Sequence, residues 1–258
     1  MIRSHNEDSI ATDAANGLLV LADGMGGYNA GEVASGMATT VITSEMQQAL
    51  ARVRPYDLDR PGGVPLAARL IREQILKANT SIYQAALSQP QYAGMGTTLV
   101  SCLFYDDRVM VAHLGDSRLY RLRESALTLL TRDHSLLQEQ IDSGLITAEQ
   151  AKNAQHKNLV TRALGIDPTA EPELHEHQTH PGDLYLLCSD GLNDMVSDED
   201  IELALQALGS NLKLAAEQLV QMANDNGGRD NVSVILVRVL RGYPAARGVI
   251  AKFFAWLK

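Results

Sequence analysis

Apolar and polar positions along the chain alternate in two distinct periods. Residues 30–53 repeat apolar positions at helical spacing through Ala34, Met37, Ala38 and Val41, and residues 66–88 through Ile71, Ile75, Ala78 and Ile82. Each stretch predicts a helix with one core-facing stripe. From Thr97 the period falls to two, over 98–105, 109–114, 118–123 and 127–130, which predicts an antiparallel meander. Further apolar runs of strand length occupy 18–22, 184–188 and 232–240. Helices are expected again at 136–143, 147–153 and about 158–164, the last ended by Gly165. Two more are expected at 198–208, capped by Ser197 or Asp198, and at 211–225, stopped by Asn226 and Gly227. Runs of strands set between runs of helices predict an α+β architecture.

The strand-like runs share a feature that periodicity does not explain. The run 18–22 delivers Asp23 and then Gly24; 109–114 leads into Gly115 and Asp116; 184–188 leads into Ser189 and Asp190. Gly227, Gly228 and Asp230 precede 232–240, and the N-terminal stretch adds Glu7 and Asp8. One such acid is a turn, whereas the repetition suggests a site. If Asp23, Asp190 and Asp230 converge, their repulsion in a low dielectric requires cations between them. Oxygen-only donors select a hard ion, Mg²⁺ or Mn²⁺, over zinc, for which no thiolate and imidazole spacing is found. His175, His177 and His180 have metal-like spacing but no carboxylate or cysteine partner on their polar segment, and are expected on a solvated surface.

Composition narrows the function classes. The 258 residues are 45% hydrophobic and 21% charged, as in a globular protein, and no Pro/Gly/Ser-rich linker divides the motifs. A net charge of -9, from 31 acids against 22 bases, argues against nucleic-acid binding. Cys102 and Cys188 both lie in apolar runs and read as small buried hydrophobes. No signal peptide opens the chain and no apolar stretch approaches the ~20 residues of a membrane span, so a cytoplasmic enzyme is expected. Residues 241–258 form a tail in which Ile250, Phe253, Phe254 and Leu257 recur at helical spacing beside Arg247, Lys252 and Lys258. An amphipathic basic helix of this kind packs on its own domain or in a partner's groove, in preference to a membrane surface.

The segments R-S-H-N-E-D at 3–8, A-D-G-M-G-G at 22–27, G-T-T at 96–98, L-G-D-S-R at 114–118, S-D-G-L-N-D at 189–194 and G-G-R-D-N-V-S at 227–233 carry a resemblance. In this order and spacing the chain resembles the metal-dependent protein phosphatases of type 2C, and most of all their compact bacterial members. The resemblance implies a four-layer α-β-β-α sandwich with two central, mainly antiparallel sheets. It implies a catalytic domain over 1–240, with a flap at about 133–180, acting on phosphoserine and phosphothreonine in proteins, as a monomer, against a bacterial Ser/Thr kinase. Asp23 is expected to bridge two Mg²⁺ or Mn²⁺ ions, with Asp190 and Asp230 on one. The Gly24 carbonyl, with Glu7 and Asp8 directly or through water, would hold the other. A third, weaker ion would use Asp116 and Asp190. Arg3 would grip the phosphate, and Asp194 and Asn231 would orient ligands and waters.

Two hard cations can hold a water between them, lower its pKa and aim it at phosphorus, so no protein nucleophile is needed. The chain offers none of convincing type: its C-x5-R match, Cys102 to Arg108, begins inside an apolar strand run, and there is no G-x-S-x-G elbow or P-loop. Two departures from the family pattern stand out. Met1 lies only two residues before Arg3, so the chain is either truncated or manages with a shortened first strand. Met25 replaces the histidine that follows the Asp-Gly pair in many eukaryotic relatives, leaving a water, His134 or His5 as proton donor. A scaffold without activity is the first rival reading and lacks its signature, since the carboxylates are all present. A hydrolase of small phosphoesters is the second, and no nucleobase pocket is recognisable.

Overall fold

A computed structural model describes residues 5–27, 30–58, 63–151 and 159–245, apart from the side chains of 148 and 149. Among the described residues ten strands follow in chain order: β1 (Asp8–Asp13), β2 (Leu18–Met25), β3 (Gly96–Thr97), β4 (Leu99–Tyr105), β5 (Arg108–Leu114), β6 (Arg118–Arg123), β7 (Ala126–Leu129), β8 (Glu173–Gln178), β9 (Leu184–Cys188) and β10 (Val234–Arg238). The helices are α1 (Ala30–Leu50), α2 (Leu66–Ser88), α3 (Leu136–Asp142), α4 (Ala148–Ala151), α5 (Asp190–Asn193), α6 (Asp198–Leu208) and α7 (Leu212–Asp225). The strands build two antiparallel sheets. One runs β1-β2-β4-β5-β8 with β3 attached to β2, and the other runs β10-β9-β6-β7.

Strand alternation assigns the layers. On β2, Leu18, Val20 and Ala22 pack with Ala34, Ala38, Ile42, Ile71 and Ile75 of α1 and α2, while Leu19 and Leu21 turn the other way. There they meet Val100, Val111, Leu119, Tyr185 and Leu187 in the space between the sheets. The outer face of the second sheet, through Tyr120, Leu184, Leu186 and Cys188, packs on Leu192, Ile201, Leu205 and Leu219 of α5, α6 and α7. The four-layer α-β-β-α sandwich is therefore the observed fold. Burial of these apolar faces on both sides of each sheet is its main stabilising term. Cys102 lies between the sheets and Cys188 beneath the second helical layer, both free and buried.

Three expectations are corrected. The four strands from 98 to 130 are not one meander: β4 and β5 pair in the first sheet, whereas β6 and β7 belong to the second. The change of sheet falls at Gly115, whose φ of 101° and close approach to Thr98, 2.7 Å from where a Cβ would sit, require glycine. Residues 159–164 are not helical. Thr97 and Leu164 exchange backbone hydrogen bonds of 3.0 and 2.8 Å, and Ser135 bridges Val160, so tertiary pairing satisfies groups a helix would have used. The histidine-bearing segment, expected to lack a carboxylate partner, forms the edge strand β8, where His175 is partly exposed as expected but its Nε2 contacts Glu173 at 2.6 Å. Among the described residues no helix is long and apolar enough to cross a membrane. Of the expected tail, residues 246–258 lie outside the described part of the chain.

Candidate metal centre

Parity along β2 decides where Asp23 points. It follows Leu19 and Leu21 in alternation, so it faces the gap between the sheets. Its cross-strand partner is Asp8, and partners in register share a face. From the opposite sheet, Ser189 continues the inward parity of Tyr185 and Leu187, and its hydroxyl donates to Asp8 Oδ2 at 2.9 Å. The same hydroxyl accepts the Ser233 N–H at 2.9 Å, which ties the start of β10 to the two strand ends.

These connections bring the acids together. Burial, and then the charges of Asp8, Asp190, Asp116 and Asp230, hold the Asp23 carboxyl well above the ordinary range. Burial followed by Asp116, Asp194, Asp230 and Asp8 pushes Asp190 up to about 8, and burial with Asp133 pushes Asp116 up to about 6. Asp8 is also raised, chiefly by burial, despite its bonds from Ser233 and Ser189. All are signatures of negative charges crowded in a desolvated place. Asp8 Oδ1 is buried and has no hydrogen-bond partner. An anionic oxygen in that position fits a cation, and the oxygen-only donor set fits a hard one.

The remaining expected residues surround the ring. Gly24 donates its N–H to the Glu7 carbonyl at 3.1 Å, and a Cβ on Gly24 would lie 2.2 Å from the Gly31 oxygen at the start of α1. Only glycine lets β2, the 5–8 segment and α1 approach this closely. Asn231 Oδ1 accepts the Glu7 N–H at 2.9 Å and its amide donates to the His5 carbonyl at 3.0 Å, so it fixes the N-terminal segment. Asp194 closes α5 by donating its N–H to the Asp190 carbonyl at 2.8 Å. Arg3 lies outside the described residues. His134 has both ring nitrogens engaged, Nδ1 by the Gly115 N–H at 3.2 Å and Nε2 by Glu173 at 3.1 Å.

A cleft of about 530 Å³ opens beside the acids, with Asp116, Asp190, Asp133, Leu137, Ile141 and Met195 among its walls. Arg118 is fixed there by a two-pronged contact to Asp133, 2.7 to 3.2 Å long. Sequence reasoning had not singled out Arg118, Asp133 or Ser189. Arg118 and Ser189 stand inside the quoted motifs, but nothing in their spacing shows what they touch.

The fold and this ring of acids are those of a metal-dependent phosphatase. The chain belongs to the protein phosphatase 2C family, whose profile matches residues 3–236. It is 40% identical over 240 residues to the serine/threonine protein phosphatase PstP of Mycobacterium tuberculosis, covering 93% of this chain and 43% of that protein. It thus spans less than half the length of that relative. The serine/threonine phosphatase stp of Listeria welshimeri is 36% identical over 239 residues, covering 92% of this chain and 91% of its own. Among solved structures, the catalytic domain of PstP in complex with two manganese ions superposes with a TM-score of 0.79 at 37% identity, covering 93% of this chain and 94% of the other.

Proposed function

We propose that this protein hydrolyses phosphoserine and phosphothreonine in proteins, using Mg²⁺ or Mn²⁺, and so opposes a bacterial Ser/Thr kinase. The observation that carries the reading is the desolvated convergence of Asp8, Asp23, Asp116, Asp190 and Asp230 around a partnerless carboxylate oxygen. Bound cations would offset this repulsion and supply the Lewis acidity that lowers the pKa of water for attack on phosphorus. Asp23, with Asp190 and Asp230, would hold one ion; Asp23, the Gly24 carbonyl, Glu7 and Asp8 the other; and Asp116 with Asp190 a third, weaker one.

The chain's own residues do the positioning. Ser189 fixes the orientation of Asp8, Asn231 anchors the segment carrying Glu7, and Arg118 with Asp133 shapes the cleft floor. The cleft's size suits a phosphorylated side chain and its neighbours, which favours a protein substrate. Water adds to phosphorus and gives up one proton, the P–O bond to the serine or threonine oxygen breaks, that oxygen takes up a proton, and inorganic phosphate is released. Arg3 would hold two phosphate oxygens. The catalytic domain would span 1–240, with 133–180 as its flap and 241–258 as an accessory tail, in a cytoplasmic monomer. Phosphopeptide hydrolysis with Mn²⁺, with EDTA, and in Asp190→Asn tests the reading. Turnover should require the metal and fall at least a thousandfold in the variant. Metal-independent turnover, or none on any phosphopeptide, would overturn it.

A further inference from the structure

A second group of metal-ligating side chains lies away from the acid ring, where β5, the segment after β7 and the edge strand β8 meet. His113, His134 and Glu173 each place one ligand atom within 4.8 Å of the others. The His113 and His134 rings stack with centroids 4.8 Å apart, and both side chains are buried. We propose that these three residues form a site for a transition-metal dication of the zinc type, distinct from the oxygen-only centre.

The proton position at His113 supports it. His113 Nε2 faces the Arg132 carbonyl at 2.9 Å, which can only accept, so Nε2 carries the hydrogen. The Arg132 N–H lies 3.4 Å from the same nitrogen, too long to compete. The bare nitrogen is therefore Nδ1, which is buried and has no partner. An imidazole whose protonated nitrogen is held by a carbonyl, and whose other nitrogen is buried without a partner, is arranged as a metal ligand. Burial also favours its neutral, ligating form. Glu173 contributes the charge. His134 Nε2 contacts its Oε2 at 3.1 Å, and His175 Nε2 holds its Oε1 at 2.6 Å. Although burial opposes ionisation, these imidazole contacts keep Glu173 low, at about 2.

Two imidazoles and one carboxylate are borderline donors that zinc accepts, with a fourth position open to water. Tetrahedral zinc needs about 3.4 Å between ligand atoms, from its bond lengths of about 2.0 to 2.1 Å. The longest separation, at most 4.8 Å, must therefore shorten by up to about 1.4 Å. Glu173, about one-third exposed on an edge strand, supplies part of this movement, and the stacked imidazoles must turn to aim both lone pairs at one point. Loading also reaches the neighbouring centre. At present the Gly115 N–H donates to His134 Nδ1, so the His134 hydrogen sits on Nε2. Ligation at Nε2 moves that hydrogen to Nδ1, where it opposes the Gly115 N–H one residue before Asp116. Occupation of the site is thereby coupled to the turn that carries Asp116.

The test uses the whole chain in excess Mg²⁺, which occupies oxygen sites in preference to imidazole. Titration with Co²⁺, followed by its visible absorption, and retained zinc per chain after dialysis give two readouts. The unaltered protein and Asp190→Asn should both show intense tetrahedral-type bands and retain about one zinc per chain. In Glu173→Gln the affinity should fall at least about tenfold. His113→Ala removes the buried ligand, but Glu173→Gln, at an exposed edge, decides the matter if that variant misfolds. Absence of the bands in the unaltered protein, their persistence in Glu173→Gln, or their loss in Asp190→Asn alone would overturn the site. None of these readouts depends on phosphatase activity.

Discussion

Asp190→Asn should make the metal-free protein more stable while abolishing its activity. Burial and neighbouring acids raise the Asp190 carboxyl from 3.8 to about 8 in the folded state. Below 3.8 the acid is protonated whether the chain is folded or not, and the group costs nothing. As pH rises toward 8 the unfolded chain loses this proton first, so stability falls across that window. Each tenfold in proton affinity is about 1.4 kcal/mol, so the interval from 3.8 to about 8 corresponds to roughly 5 kcal/mol at pH 8. The acids titrate together and share that repulsion, so removing one charge should recover about half, roughly 2 to 3 kcal/mol. For a chain of this size that is a rise in Tm of roughly 5 to 10 °C. Thermal unfolding in EDTA at pH 8 reads it directly, and at pH 5 the gain should shrink below about 1 kcal/mol. In saturating Mn²⁺ the order should reverse, because the unaltered acid ring gains more from the cation. A variant no more stable than the parent in EDTA at pH 8, or equally stabilised at pH 5, would refute the electrostatic argument.

Three further outcomes follow from the geometry. Ser189→Ala removes the donor to Asp8 Oδ2 and the acceptor of the Ser233 N–H; denaturant unfolding should show a loss of about 1 to 3 kcal/mol, and Mn²⁺ titration a several-fold weaker affinity. Gly24→Ala places a Cβ 2.2 Å from the Gly31 oxygen, so soluble yield and Tm should collapse, with a cost of at least about 3 kcal/mol. Asn231→Ala releases Glu7 and His5, and kcat/KM on a phosphopeptide should fall about tenfold while Tm in EDTA moves by only about 2 °C or less.

How far the chain could be read from sequence depended on the range of the interaction involved. The stripes of α1 and α2 and the runs of β2, β5 and β9 were visible because a buried helix face or strand writes its own period into neighbouring residues. The same runs located the acids at their ends. The helix expected near 158–164 failed because the backbone of Leu164 pairs with Thr97, far away in the chain. The division of 98–130 between two sheets failed because β4 to β7 carry the same alternation whichever sheet they join. The imidazole cluster left no trace, since His113, His134 and Glu173 come from separate segments with no common spacing.

Local physical chemistry thus determined the long helices and the buried strands, and which of those strand ends would carry a carboxylate beside glycine. Only the packed structure decided that β1 sets Asp8 opposite Asp23, that Ser189 crosses from the second sheet to reach Asp8, and that one oxygen of Asp8 is left without a partner. The reason is that desolvation and charge repulsion act through space. Each acid alone is compatible with an ordinary solvated turn, and it becomes a demand for cations only when two sheets close over it.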